Sequence, residues 1–191
     1  MVDESRKPIV LVFAGPNGSG KTTITRSIPV IGAYVNADDI KKNDNITDLE
    51  AAIQAEATRN MLLDENRDFT FETVMSTERN LLLLQKAKTN GYEVQCIYVL
   101  TCSENINVAR VKSRYAYGGH DVPEDKVRER YHRALALLPR LIDVCDKMLV
   151  YDNSERPSPI FYKIDKQIVV IPNNVWSEPA LRQLFGLPQQ Q

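Results

Sequence analysis

The chain is poor in cysteine: it has three, Cys96, Cys102 and Cys145, and no two stand in C-x-x-C spacing. That argues against a disulfide-framed fold or a cysteine-bound zinc, and suits thiols in a reducing compartment. No apolar run approaches the ~20 residues that a bilayer-spanning helix needs. The first seven residues are polar and lack the apolar core of a signal peptide. Charge nearly cancels, with 24 Lys and Arg against 25 Asp and Glu. The whole molecule therefore has no general attraction for nucleic acid or an anionic membrane, and any basic site must be local. Tyr92, Tyr98, Tyr115 and Tyr117 form no regular stacking platform for bases. The chain also lacks internal repeats, a nucleophile elbow, a Cys–His pair and the Asn-Lys-x-Asp motif that reads guanine. The expectation is one cytoplasmic domain spanning 1–191, with neither nucleic acid nor membrane as partner.

What is present is concentrated near the start. Gly15-Pro16-Asn17-Gly18-Ser19-Gly20-Lys21-Thr22 fits the P-loop pattern G-x-x-x-x-G-K-[ST]. An apolar, β-branched run from Pro8 to Ala14 precedes it and reads as a buried strand, while Thr22 to Arg26 can open a helix. Glycines let backbone N–H groups crowd around a polyphosphate at the positive end of a helix. Lys21 would reach the β- and γ-phosphates and the Thr22 hydroxyl would ligate Mg²⁺, with Thr23 completing the nucleotide-binding stretch. The implied cofactors are ATP or GTP with Mg²⁺.

Downstream, strands and helices alternate. Strands are expected at Gly32–Asn36, Phe69–Glu72, Tyr92–Leu100 and Lys147–Tyr151. Asp48 would cap a long helix whose apolar stripe is Leu49, Ala52, Ile53, Ala57, Met61 and Leu62. A helix from Ser76 or Thr77 stops at Asn90-Gly91, and another starts at Ser103. A further helix follows Pro123, with Val127, Tyr131, Leu135 and Leu138 on one face and Pro139 as a potential kink. The pattern specifies an α/β fold: a five-stranded parallel sheet covered by helices on both faces. A helical lid covers about 103–133. A small hairpin (Ile160–Ile164, Gln167–Ile171) and helix (Trp176–Leu187) occupy a C-terminal extension of about 155–191.

In such sheets ligands bind at the carboxyl ends of the strands, which singles out further residues. Asp38, just past the second strand, could take the proton of an attacking hydroxyl or hold Mg²⁺ through water. Equally, Asp38 or Asp39 could be a plain helix N-cap. Glu72 ends a strand expected to be buried, so it needs a partner or a ligand. Arg110 and Arg114 share a helix face, and Arg128, Arg130 and Arg133 follow across Gly118-Gly119. Two arginine-rich helices on a glycine hinge suit a lid that closes on phosphates, with two or three of the five expected to touch them. His120, beside the hinge, is either a structural hydrogen-bonder or a participant.

Taken together, these residues resemble the zeta toxin family of P-loop kinases. The likeness rests on the loop, Val35-Asn36-Ala37-Asp38-Asp39-Ile40, Phe71-Glu72-Thr73 and Arg114. It also includes residues 118–123, Arg130-Tyr131-His132-Arg133 and Tyr151-Asp152-Asn153-Ser154. The resemblance implies a kinase that transfers the γ-phosphate to a small-molecule hydroxyl, in the family the 3′-hydroxyl of UDP-N-acetylglucosamine. It also implies a small helical antitoxin as partner. By the same resemblance Asp38 is the catalytic base, Glu72 with Thr73 forms the sugar-nucleotide site, and Arg114 contacts phosphate. Family members carry a second arginine shortly before a lid proline; here Gly118-Gly119-His120 precedes Val122-Pro123, so that charge falls to Arg130 or Arg133 or is missing. The alternatives are a kinase of another acceptor (a nucleoside, sugar or antibiotic) and a nucleotide-dependent binding switch.

Overall fold

The computed structural model describes residues 6–116 and 122–189. At its centre β1 (Ile9–Ala14) is buried from Val10 to Ala14. Successive side chains of a strand point to opposite faces, so both faces of the sheet are covered here. β1 lies between β3 (Phe69–Thr73) and β4 (Glu93–Leu100). β2 (Ala33–Val35) pairs outside β3 and β5 (Lys147–Asp152) outside β4, all parallel. The chain thus leaves β1 towards β2 and returns on its other side as β4. That reversal puts the loop after β1 at the switch point where α/β sheets bind ligands.

The sheet has seven strands, not five. The C-terminal hairpin, β6 (Ser158–Ile164) and β7 (Gln167–Val170), does not stand apart: β6 pairs antiparallel with β5 and continues the sheet. The reason is burial. Ile160 and Phe161 are fully enclosed, and Phe161 packs 4.6 Å from the Phe185 ring, centroid to centroid. α7 (Glu178–Leu184) brings Leu181 and Phe185 to that contact.

Among the described residues, seven helices flank the sheet. α1 (Lys21–Thr25) follows the glycine loop, and α2 (Ala37–Asp44) follows β2. α3 (Asp48–Asp64) is capped by Thr47, whose hydroxyl and Glu50 form a capping box, so Asp48 is the first helical residue and not the cap. Its inward face is also not the expected stripe. Ala51, Ala55, Arg59, Leu62 and Leu63 are buried, whereas Leu49, Ile53 and Met61 face solvent, Leu49 at 71% exposure. Apolar residues occur on two sides of this helix, and the side with alanines can approach its neighbours most closely. α4 (Glu78–Thr89) runs from Thr77 to Asn90 as expected. α5 (Glu104–Ala116) and α6 (Glu124–Val144) are the described parts of the expected lid; the Gly118-Gly119 hinge and His120 lie outside the described residues. On α6 the buried positions are Val127, Tyr131, Ala134, Leu138, Leu141, Ile142 and Val144, with Leu135 only half-buried. A small separate cluster of Val108, Val111 and Val127, with Val122 against it, joins α5 to α6.

Candidate active site

The loop from Gly15 to Gly20 owes its shape to contacts from distant parts of the chain. Gly15, Gly18 and Gly20 have φ of 140°, 76° and 87°. A Cβ at Gly18 would stand 2.4 Å from the Asn107 carbonyl oxygen, and one at Gly20 2.1 Å from Asn153 Nδ2. Only glycine meets both demands, left-handed backbone and close approach. Asn107 Nδ2 donates to the Asn17 carbonyl (2.6 Å) and Asn153 Nδ2 to the Ser19 carbonyl (2.8 Å). Both asparagines are buried, and Asn107 is fixed in turn by the Thr101 hydroxyl. Gly15, Pro16 and Ser19 shape the loop, while Asn17, Gly18, Gly20, Lys21, Thr22 and Thr23 line a cleft of about 700 Å³.

Lys21 Nζ donates to the carbonyls of Gly15 (2.8 Å) and Pro16 (3.3 Å). Burial lowers its pKa; the Glu72 carboxylate opposes this, the Arg114 guanidinium adds to it, and the Asp38 carboxylate opposes it again. Lys21, Glu72, Arg114 and Asp38 therefore share one electrostatic neighbourhood, and all four line the cleft.

Asp38 stands in the first turn of α2. The cap of that helix is Asn36, whose Oδ1 accepts from the Asp38 backbone N–H at 2.9 Å. The N-cap explanation of Asp38 thus does not hold in this fold: its carboxylate is not spent on capping. Asn36 Nδ2 also donates to the Tyr34 hydroxyl (3.1 Å), which donates to Glu72 Oε2 at 3.4 Å. Burial raises the Tyr34 pKa, keeping the phenol protonated as that donor. Glu72, half-buried at the end of β3, has found its partners in this hydroxyl and in the field of Lys21. Beside it, Thr73 lines the cleft with its hydroxyl accepting from Met75 N–H (3.0 Å) and Asn80 Nδ2 (2.7 Å).

Three of the five arginines reach the cleft: Arg110, Arg114 and Arg130. Arg110 is held against the loop after β5, donating to the carbonyls of Asn153 (2.8 Å) and Ser154 (3.2 Å). Arg130 Nη1 lies 3.5 Å from Asn17 Oδ1. Arg114 is exposed and has no carboxylate partner among the described residues. The structure does not bring the other two in. Arg128 is taken up by Glu124 and Glu104 (2.7 and 2.6 Å), and Arg133 by Glu129 (2.8 Å) on the helix surface. The i, i+4 spacing of Arg133 to Glu129 favours that local pair over the cleft. His120 lies outside the described residues.

The Thr22 hydroxyl, exposed at the cleft, suits Mg²⁺, which takes few protein ligands and otherwise phosphate oxygens and water. Sequence reasoning gave no role to Asn36 and Asn153, which entered only as parts of the likeness, and missed Asn107 and Lys126; Asn36 and Lys126 also line the cleft. Asn36 was within reach, since asparagine caps as well as aspartate does. Asn107 and Asn153 act on carbonyls 90 and 134 residues away, for which no local pattern exists.

Comparison with known proteins agrees with this fold. A chain solved as AvrRxo1-ORF1:-ORF2 with ATP superposes with a TM-score of 0.73 at 15% identity, covering 98% of this chain; this chain spans 66% of that one. The PezAT chromosomal toxin–antitoxin system of Streptococcus pneumoniae gives a TM-score of 0.61 at 19% identity, covering 98% of this chain and 82% of that one. An uncharacterised protein of Haemophilus influenzae is 30% identical over 128 residues, 63% of this chain and 91% of its own. The zeta toxin family matches residues 26–167, a span that begins after the glycine loop and contains Asp38, Glu72, Arg114 and Asn153. The chain belongs to the zeta toxin family.

Proposed function

We propose that this protein is a phosphotransferase that moves the γ-phosphate of ATP or GTP onto a hydroxyl of a small molecule, with a nucleotide sugar such as UDP-N-acetylglucosamine the first acceptor to try. The observation that carries this reading is the sharing of one cleft by a P-loop lysine, an uncapped carboxylate and lid arginines. The Asp38 carboxylate takes the proton of the acceptor hydroxyl as its oxygen bonds to the γ-phosphorus. The bond from that phosphorus to the bridging oxygen breaks, and the diphosphate leaves. Lys21, Arg114 and Arg130 offset charge on the transferred group. Glu72 and Thr73 line the acceptor side. The Thr22 hydroxyl would hold Mg²⁺, which would neutralise charge on the phosphate oxygens. A small antitoxin would act by covering this cleft.

The test is phosphoryl transfer from labelled ATP and GTP to UDP-N-acetylglucosamine and a panel of other hydroxyl compounds, run beside Asp38→Ala. Loss of a general base lowers turnover by about 10²–10⁴-fold with nucleotide affinity kept. Label on another panel member keeps the kinase and replaces the acceptor. Tight nucleotide binding with no transfer at all would favour a nucleotide-dependent switch.

A further inference from the structure

Between α3 and α4 lies a groove of about 440 Å³. Arg59 lies in it, 6% exposed, its guanidinium carbon 5.1 Å from the centroid of the Phe71 ring. A buried guanidinium normally has its N–H groups paired, because leaving them unmade costs free energy. Arg59 makes no hydrogen bond among the described residues, and its Nε is enclosed without a partner. The nearby carboxylates are already engaged: Glu56 with Arg79 at 3.1 Å, and Asp64 with Lys86 at 2.9 Å. Arg79 and Lys86 also line the groove, so three cations stand against two carboxylates and the excess charge is that of Arg59. Burial lowers the Arg59 pKa and Glu56 raises it, as expected of a charge held short of compensation.

The groove is linked to the cleft through β3 and the contact of Asn80 with Thr73. Phe71, beneath Arg59, precedes Glu72 and Thr73 on β3. Asn80, which lines the groove, donates to the Thr73 hydroxyl at 2.7 Å. We propose that the α3–α4 groove is a second anion site, in which Arg59 holds a phosphate or carboxylate group of the acceptor while the acceptor's hydroxyl lies at Asp38. The acceptor is then an anionic hydroxyl compound, long enough to reach around Thr73. This assignment rests on the phosphotransferase reading, whereas the anion site itself does not.

Pyrophosphate is the probe. The glycine loop of the full chain is first filled with saturating MgADP, and the Arg59 Nε–Hε resonance is followed as pyrophosphate is added. A saturable shift of that resonance, absent from Arg59→Met, is expected. A resonance that stays still at concentrations saturating the loop in ADP-free protein overturns the anion site. The second arm uses paired acceptors that differ only in a phosphate group. Arg59→Met should cut the preference for the phosphorylated member about tenfold or more through KM, the effect of losing a charge-assisted hydrogen bond. Unchanged preference with a moving resonance overturns the acceptor assignment and makes a free anion the occupant. If the parent protein phosphorylates nothing, the phosphotransferase reading and the acceptor assignment both fall, while the resonance still decides the anion site.

Discussion

Lys21 carries its charge into a place where charge is disfavoured, and that has a measurable sign. Its pKa in the folded protein lies below the ordinary lysine value, burial being the largest cause. Below the folded value, both folded and unfolded chains hold the proton and the penalty on folding is present in full. As pH climbs from the folded value towards the unfolded value of ~10.4, the unfolded chain binds more protons, and stability rises. Lys21→Met should therefore melt at a higher temperature than the parent at neutral pH, with the gap closing as pH approaches that of free lysine. Nucleotide binding should be lost at every pH. Thermal melts across pH, without nucleotide, decide it. A less stable variant at neutral pH would mean that the bonds to the Gly15 and Pro16 carbonyls outweigh the burial.

At the scale of the element, α3 separates what local pattern can and cannot tell. Thr47→Ala removes the hydroxyl that accepts from the Glu50 N–H, leaves the Thr47 N–H bonded to the Glu50 carboxylate, and should cost about 1 kcal/mol in urea unfolding. Leu49→Ala should stay within about 0.5 kcal/mol, because Leu49 is 71% exposed and not part of the core. The periodicity of the sequence favoured the Leu49–Ile53 side because it weighs apolarity alone. The burial of Ala51 and Ala55 depends on which neighbours the helix meets, and those belong to other elements. By contrast the strand–loop–helix around Lys21, the cap-to-stop span of α4 and the placement of Asp38 and Glu72 at one sheet edge were legible, since each follows from short-range patterning and chain order. The arginines mark the boundary between the two cases. Spacing put Arg110 and Arg114 on one face, and both reach the cleft. It could not say that Glu129 would take Arg133 and that Glu104 and Glu124 would take Arg128.

At the scale of the whole molecule, the antiparallel hairpin is the closure of a parallel sheet. β6 gives β5 a partner, and the enclosed Phe161 ties that seam to α7 through Phe185. Phe161→Ala should cost about 3–5 kcal/mol in urea unfolding, although the residue is far in sequence from the glycine loop. A loss limited to the hairpin, seen as early exchange of β6 and β7 amides with the rest of the protein stable, would show instead that the seam folds on its own. The two asparagines that hold the loop carbonyls have a further consequence, in biosynthesis. The loop leaves the ribosome before the side chains that shape it, which follow 90 and 134 residues later. A nascent chain, or a fragment ending before Asn153, carries the nucleotide-binding sequence without a nucleotide-binding site. The loop thus lacks its full support until Asn153 has been made.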